Sequence, residues 1–141
     1  MGSIDLSGLS DGALLLIDTP PIIYWLEQRP ALAEHFAPLF DRHASGGVRF
    51  AVTTITIAEV MTGPLQKGDH ALARRYRAVL ESWRVVELDA GLAEDAARVR
   101  ASFKLKLPDA IQVAAALAVN AEALVTYDRD FGRLKSLRVI G

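Results

Sequence analysis

The chain has 141 residues, the length of one ordinary domain, and 51% of them are hydrophobic, enough for a continuous core. Its formal net charge of −1 gives no global basic field announcing a nucleic-acid binder, although a local patch suffices for one. Without cysteine there are no disulfides and no cysteine-ligated zinc, which fits a reducing compartment.

The opening segment, MGSIDLSGLSDG, lacks the basic start and apolar stretch of a signal peptide. Residues 1–12 read as a flexible lead-in to a single domain over 13–141. Residues 13–17, ALLLI, form a short apolar run ending at Asp18-Thr19-Pro20-Pro21. Proline is favoured at the first helical position, so a strand hands over there to a helix. Leu32, Phe36, Leu39, Phe40 and His43 recur at helical spacing, with Pro38 expected to kink or split that helix.

After Gly46-Gly47, Val48, Phe50 and Val52 alternate with the period of a strand. A short helix, ITIAEVMTG, is expected to stop at Gly63-Pro64. Leu72, Tyr76, Val79, Leu80 and Trp83 line one face of a longer helix, RVVEL reads as a strand, and a further helix begins after Asp89. From Asp109 to Val119 the segment is apolar almost all round, the mark of a buried helix. EALVTY and LRVIG are the last strands, and no apolar run approaches the roughly eighteen residues of a membrane span. A cytoplasmic protein is expected.

Alternating strands and helices predict an α/β fold with a mainly parallel central sheet flanked by helices. Such a sheet presents the C-terminal ends of its strands at one edge, where ligands bind. Asp18 and Asp128 each follow an apolar strand and should share that edge. Taken singly, every acid has a structural role open to it. Asp18 suits a helix cap, Thr56-Ile57-Ala58-Glu59 matches a capping box, Asp109 complements a helix dipole, and Asp128 suits a turn. Taken together, the four acids fall at strand-to-helix junctions or in first helical turns. Two like charges about 4 Å apart repel by roughly 4 kcal/mol at an effective dielectric of 20. A cluster of that kind must protonate, recruit basic side chains or hold a cation. All-oxygen ligation suits Mg²⁺ or Mn²⁺.

The segments LLLIDT, TITIAEV, LPDAIQVAAAL and LVTYDRDF, in that order, resemble the PIN-domain ribonucleases, particularly VapC-type toxins of toxin–antitoxin pairs. The resemblance covers roughly residues 13 to 140. It implies a metal-dependent endoribonuclease, with Asp18, Glu59, Asp109 and Asp128 matching the family's acidic quartet. Thr126 matches a hydroxyl position beside that site, and Asp130 a secondary acid that assists the metal. It also implies a homodimer and a cognate antitoxin covering the cleft. Pro20 stands where the family often has a small or amide residue, and Tyr127 where it often has asparagine. The lead-in is longer than usual. Neither residue change removes a carboxylate, so these departures bear on substrate fit and turnover.

Water as nucleophile predicts 5′-phosphate and 3′-hydroxyl products. Lys104, Lys106, Arg129, Arg133 and Lys135 flank the acids in sequence, as a phosphate-contacting rim or as a solvated face. His35, His43 and His70 have no metal-ligand spacing and are not expected to be catalytic. Two other readings compete: a catalytically idle PIN-like binding module, and a phosphoacceptor receiver domain, another α/β fold with acids at strand ends.

Overall fold

The computed structural model describes residues 2–128, 131, 134 and 136–141. Its elements run β1 (Ala13–Ile17), α1 (Thr19–Leu26), α2 (Leu32–Ala44), β2 (Val48–Thr53), α3 (Thr54–Gln66), α4 (His70–Glu81), β3 (Arg84–Val86), α5 (Ala90–Phe103), α6 (Leu107–Ala118), β4 (Ala123–Val125) and β5 (Val139–Ile140). Among the described residues these strands form one five-stranded sheet in the order β3-β2-β1-β4-β5, every neighbouring pair parallel. A receiver domain's order is 2-1-3-4-5, so that reading falls.

The chain builds outward from β1 through β2 to β3, then returns to the other side of β1 for β4 and β5. The strand order therefore reverses between β1 and β4, the place where open α/β sheets bind ligands. All five β1 residues are buried because helices cover both sheet faces. Side chains alternate faces along a strand. Ala13, Leu15 and Ile17 join the cluster containing Ile22, Phe36, Leu39, Val60 and Leu80 from α1–α4. Leu14 and Leu16 join the opposite cluster with Leu92 and Ala96 of α5 and the apolar surface of α6. Fully burying one such leucine stabilises the fold by about 1.5–3 kcal/mol.

Three local expectations are corrected. Residues 2–12 are no loose lead-in: Ile4 and Leu9 are buried in the α1–α4-side core. Glu122 accepts a bond from the Ser10 amide at 2.7 Å, and Arg138 donates to the Ser7 carbonyl at 2.6 Å. Pro38 does not split α2, which runs unbroken over Leu32–Ala44. Gly63-Pro64 does not end α3, which continues to Gln66. Pro64 removes one amide donor close to the helix end, while its carbonyl accepts from Lys67 and Asp69 in the closing turn.

Candidate active site

The β1–β4 register pairs Ile17 with Val125, and the β1–β2 register pairs Leu16 with Ala51. One step beyond the first pair and two beyond the second, Asp18, Thr126 and Thr53 stand abreast at the strand ends. Each has the same parity as a residue facing α5 and α6 (Leu16, Leu124 and Ala51), so each turns toward α6. The residue that Asp18 and Thr53 meet there is Gln112. It is 2% exposed, and Asp18, Thr53 and Thr126 are 7%, 0% and 3% exposed.

Gln112 donates its amide to Asp18 Oδ1 at 3.0 Å and to Thr56 Oγ1 at 3.0 Å. Its Oε1 accepts from Thr53 Oγ1 at 2.9 Å. The other Asp18 oxygen, Oδ2, accepts from Thr126 Oγ1 at 2.8 Å, and that hydroxyl accepts the Asp128 amide at 3.0 Å. Glu59 joins through α1 and α3: Thr19 Oγ1 donates to Glu59 Oε1 at 2.9 Å and lies 2.9 Å from Thr56 Oγ1. A carboxylate only accepts, so the Thr19 proton goes to Glu59, and Thr56 must then donate to Thr19. The result is a one-way chain, Gln112 to Thr56 to Thr19 to Glu59, with every proton aimed at an acid. Such chains polarise one another and hold their members in one arrangement.

The bland roles fail for two of the acids. Asp18 occupies the N-cap position of α1, yet its side chain makes no capping bond. The capping box centred on Thr56 is also corrected. Thr53 is the N-cap of α3, accepting the Thr56 amide, so Glu59 lies a turn too late to reach the first amides and bonds Thr19 instead. Asp109 lies in the first turn of α6, three residues before Gln112 and on the same flank of that helix. Asp18 is buried, Asp109 half-buried, and Glu59 and Asp128 exposed.

The network thus joins Asp18, Glu59, Thr126 and the Asp128 backbone, while Asp109 is placed at the same edge by α6. Among the described residues no three His, Asp or Glu side chains are set to hold a metal ion as they stand. Asp130 lies outside the described residues, as do Arg129, Arg133 and Lys135 of the expected basic rim. Lys104 and Lys106 are exposed between α5 and α6. The ion pairs Arg29–Glu27, Arg77–Glu81 and Arg98–Glu94 join exposed side chains.

The histidines have other surroundings. His35 donates from Nδ1 to the Gly2 carbonyl, and His43 stacks on Phe50 with ring centroids 4.1 Å apart. Burial lowers the His43 pKa below the ordinary histidine value. Phe36 and Phe40 are core residues, and Trp25 stacks on Phe40 at 4.2 Å. Gln112 is the site residue that the sequence analysis missed. The mark it leaves is a single amide in an otherwise apolar stretch, residues 110–119.

The PIN domain family model matches residues 15–137. A solved toxin–antitoxin complex from Klebsiella pneumoniae superposes with a TM-score of 0.69 at 26% identity, covering 87% of this chain and 94% of that one. VapBC2 from Rickettsia felis, solved bound to a DNA fragment from its promoter, gives 0.70 at 18% identity, covering 89% and 96%. VapC20 from Mycobacterium tuberculosis, a toxin that cleaves the sarcin–ricin loop, gives 0.66 at 18% identity, covering 84% and 92%. No curated protein matches the chain.

Proposed function

The chain belongs to the PIN-domain family, and from that premise we propose that it is a divalent-metal-dependent endoribonuclease, the toxin of a toxin–antitoxin pair. The observation that carries this reading is Asp18. A carboxylate buried at the switch point of the sheet forgoes helix capping and accepts bonds from two neutral groups, Gln112 and Thr126. Two neutral donors fix its direction, and no ion pair among the described residues cancels its charge. Burying such a charge is expensive unless a cation completes it.

The donor set fits Mg²⁺ or Mn²⁺, which prefer hard oxygen ligands. Asp18 is the fixed anchor, and Glu59, Asp109 and Asp128 would hold the ion directly or through water, with Asp130 assisting. Glu59 is exposed and held by one hydroxyl among the described residues, so it is the ligand with room to swing inward. When bound, such an ion lowers the pKa of a water and offsets charge developing on a phosphodiester.

The chain's own residues supply the orientation. Thr126 ties Asp18 Oδ2 to the Asp128 backbone, so the acids after β1 and β4 keep one spacing. Gln112 ties Asp18 to the row of hydroxyls that ends on Glu59. Water as the nucleophile gives 5′-phosphate and 3′-hydroxyl ends. We assign a cognate antitoxin as partner by likeness to the toxin–antitoxin complexes and RNA as substrate by likeness to the sarcin–ricin-loop-cleaving toxin, and we propose a homodimer in the cytoplasm as the working form. No helix among the described residues is long and apolar enough to cross a membrane.

The test is Mg²⁺ or Mn²⁺ binding by calorimetry with RNA cleavage, on the wild type and Asp109→Asn, after thermal melts establish that both fold. Binding and cleavage by the wild type, both lost in the variant, are expected. Equal metal behaviour with no cleavage by either protein would overturn the reading and favour an idle binding module.

A further inference from the structure

We propose that Tyr127 is a nucleobase platform at the rim of the acidic edge, a specificity-determining residue that stacks on a base beside the cleaved phosphate. The proposal rests on the nuclease reading above and goes beyond the acids to how the substrate is gripped.

Tyr127 sits between the two residues that tie β4 to the site. Thr126 before it bonds Asp18, and Asp128 after it donates its amide to Thr126. Its Cα is about 3.8 Å from those of both neighbours, and its ring turns to the α1–α2 side of that edge, against Tyr24, His35 and Phe36. Yet Tyr127 is 44% exposed, among the most exposed large apolar side chains described. Most exposed apolar residues are scattered singly and mean nothing. This one is braced.

Three rings surround its inner side: Tyr24 at 5.9 Å, Phe36 at 6.0 Å and His35 at 6.1 Å between centroids. Their planes cross that of Tyr127 at 89°, 71° and 70°, so none of them lies flat on it. Edge-to-face packing is a favoured aromatic geometry and restrains the ring. The support is itself anchored, because Phe36 is fully buried and His35 is bonded through Nδ1 to the Gly2 carbonyl. An aromatic ring that is rigid, open to solvent and not stacked by any neighbouring ring is what an unstacked base requires. A pre-ordered ring also loses little conformational freedom when it binds.

The experiment uses the full chain and a short single-stranded RNA that the wild type cleaves, in two forms: intact, and abasic at the nucleotide next to the cleaved bond. Tyr127→Leu keeps apolar bulk and removes the π face, whereas Tyr127→Phe keeps the ring. With intact RNA, Tyr127→Leu should raise KM about 5- to 150-fold, the range carried by one base–aromatic stack. Its kcat should stay within about threefold of the wild type. Tyr127→Phe should restore a KM near that of the wild type. With the abasic RNA the difference between Leu and Tyr should vanish, which a purely structural role would not produce.

An unchanged KM for Tyr127→Leu, or an equal defect on both RNAs, would overturn the proposal and return the ring to packing or to a protein-facing surface. A Phe variant as weak as Leu would also overturn it, since the hydroxyl would then be the working group. A wild type that cleaves no RNA defeats the nuclease reading instead, a distinct result.

Discussion

Replacing Gln112 with methionine keeps the length of the side chain and removes its amide. The residue makes three hydrogen bonds, all in the interior. Thr56 Oγ1 retains Thr19 as a partner after the change. The other two groups fare worse. The Thr53 hydroxyl loses the acceptor for its proton, at about 1–3 kcal/mol for a buried unsatisfied group. Asp18 Oδ1 loses the Gln112 amide, and a hydrogen bond to an ionised group is worth about 1.5–3 kcal/mol. The expected loss is therefore about 3–5 kcal/mol, a large part of a typical domain's 5–15 kcal/mol. Urea unfolding at pH 7.5 reads it as a lowered midpoint with an unchanged slope. A loss below about 1 kcal/mol would mean that the buried amide is not organising the acids.

Gln112→Glu tests the same contact by charge. It places a second carboxylate about 3 Å from Asp18 Oδ1, a repulsion of about 5–6 kcal/mol at an effective dielectric of 20. The pair relieves it by keeping one proton, so its apparent pKa in the folded state rises above the unfolded value. The folded variant then binds more protons than the unfolded chain, and its stability falls as pH rises through that window. The deficit relative to wild type should be larger at pH 7.5 than at pH 5. Added Mg²⁺ or Mn²⁺ should recover part of it under the proposed function. A deficit that does not change with pH would refute the juxtaposition.

Asp18→Asn keeps the shape: its carbonyl can still face Gln112, its amide can face the second lone pair of Thr126, and the cost of the Thr126 proton losing its acceptor is offset by removing a buried charge. Stability should stay within about 1 kcal/mol while cleavage falls at least roughly a hundredfold, about 3 kcal/mol of transition-state stabilisation. Cleavage near the wild-type rate in a gel assay would remove Asp18 from the chemistry. Thr126→Val is isosteric but removes the hydroxyl that donates to the buried Asp18 Oδ2, and should cost about 1–3 kcal/mol by urea unfolding, with Thr126→Ser largely restored. Equal stability for Val and Ser would show that the hydroxyl is idle. Burial lowers the His43 pKa, so the unfolded chain takes up this proton first as pH falls. Stability should drop on acidification from pH 7 through the unfolded value of about 6.5, and His43→Gln should flatten that slope; an identical pH profile in the variant would refute it.

The fold was legible because its signals are local and redundant. ALLLI, VRFAVT and EALVTY are short apolar runs, and a parallel strand covered on both faces needs that pattern. The helices between them carry their own periodicity. Boundaries were harder where tertiary packing outweighed a local breaker. Pro38 sits in a helix whose Phe36, Leu39 and Phe40 are buried on either side of it, so one missing amide bond does not interrupt the packing. The lead-in misled for the same reason. Ile4 and Leu9 are isolated apolar residues among polar ones, with no period to announce a core contact, and only the three-dimensional surface of α2 and the sheet gives them a place.

The site divides along a different line. The carboxylates were legible as positions, because a strand end followed by a helix start is visible in sequence and a parallel sheet gathers all such ends at one edge. What each side chain bonds was not legible, because that depends on register. Asp18 looked like a cap and is not one; Glu59 looked like half of a capping box and instead ends a row of hydroxyls that begins at Gln112. Gln112 is the sharper case. A lone amide in a buried helix must find partners, so its presence in LPDAIQVAAAL demanded an explanation from the start. Only the pairing of Ile17 with Val125 and of Leu16 with Ala51 reveals that its partners stand at the ends of β1 and β2 and in the first turn of α3, and that one is the buried acid. Uncharged residues that hold an acidic centre in place carry no charge pattern to find them by. They become visible once the register is known, and their substitution should then disturb stability and chemistry together, whereas Asp18→Asn should disturb chemistry alone.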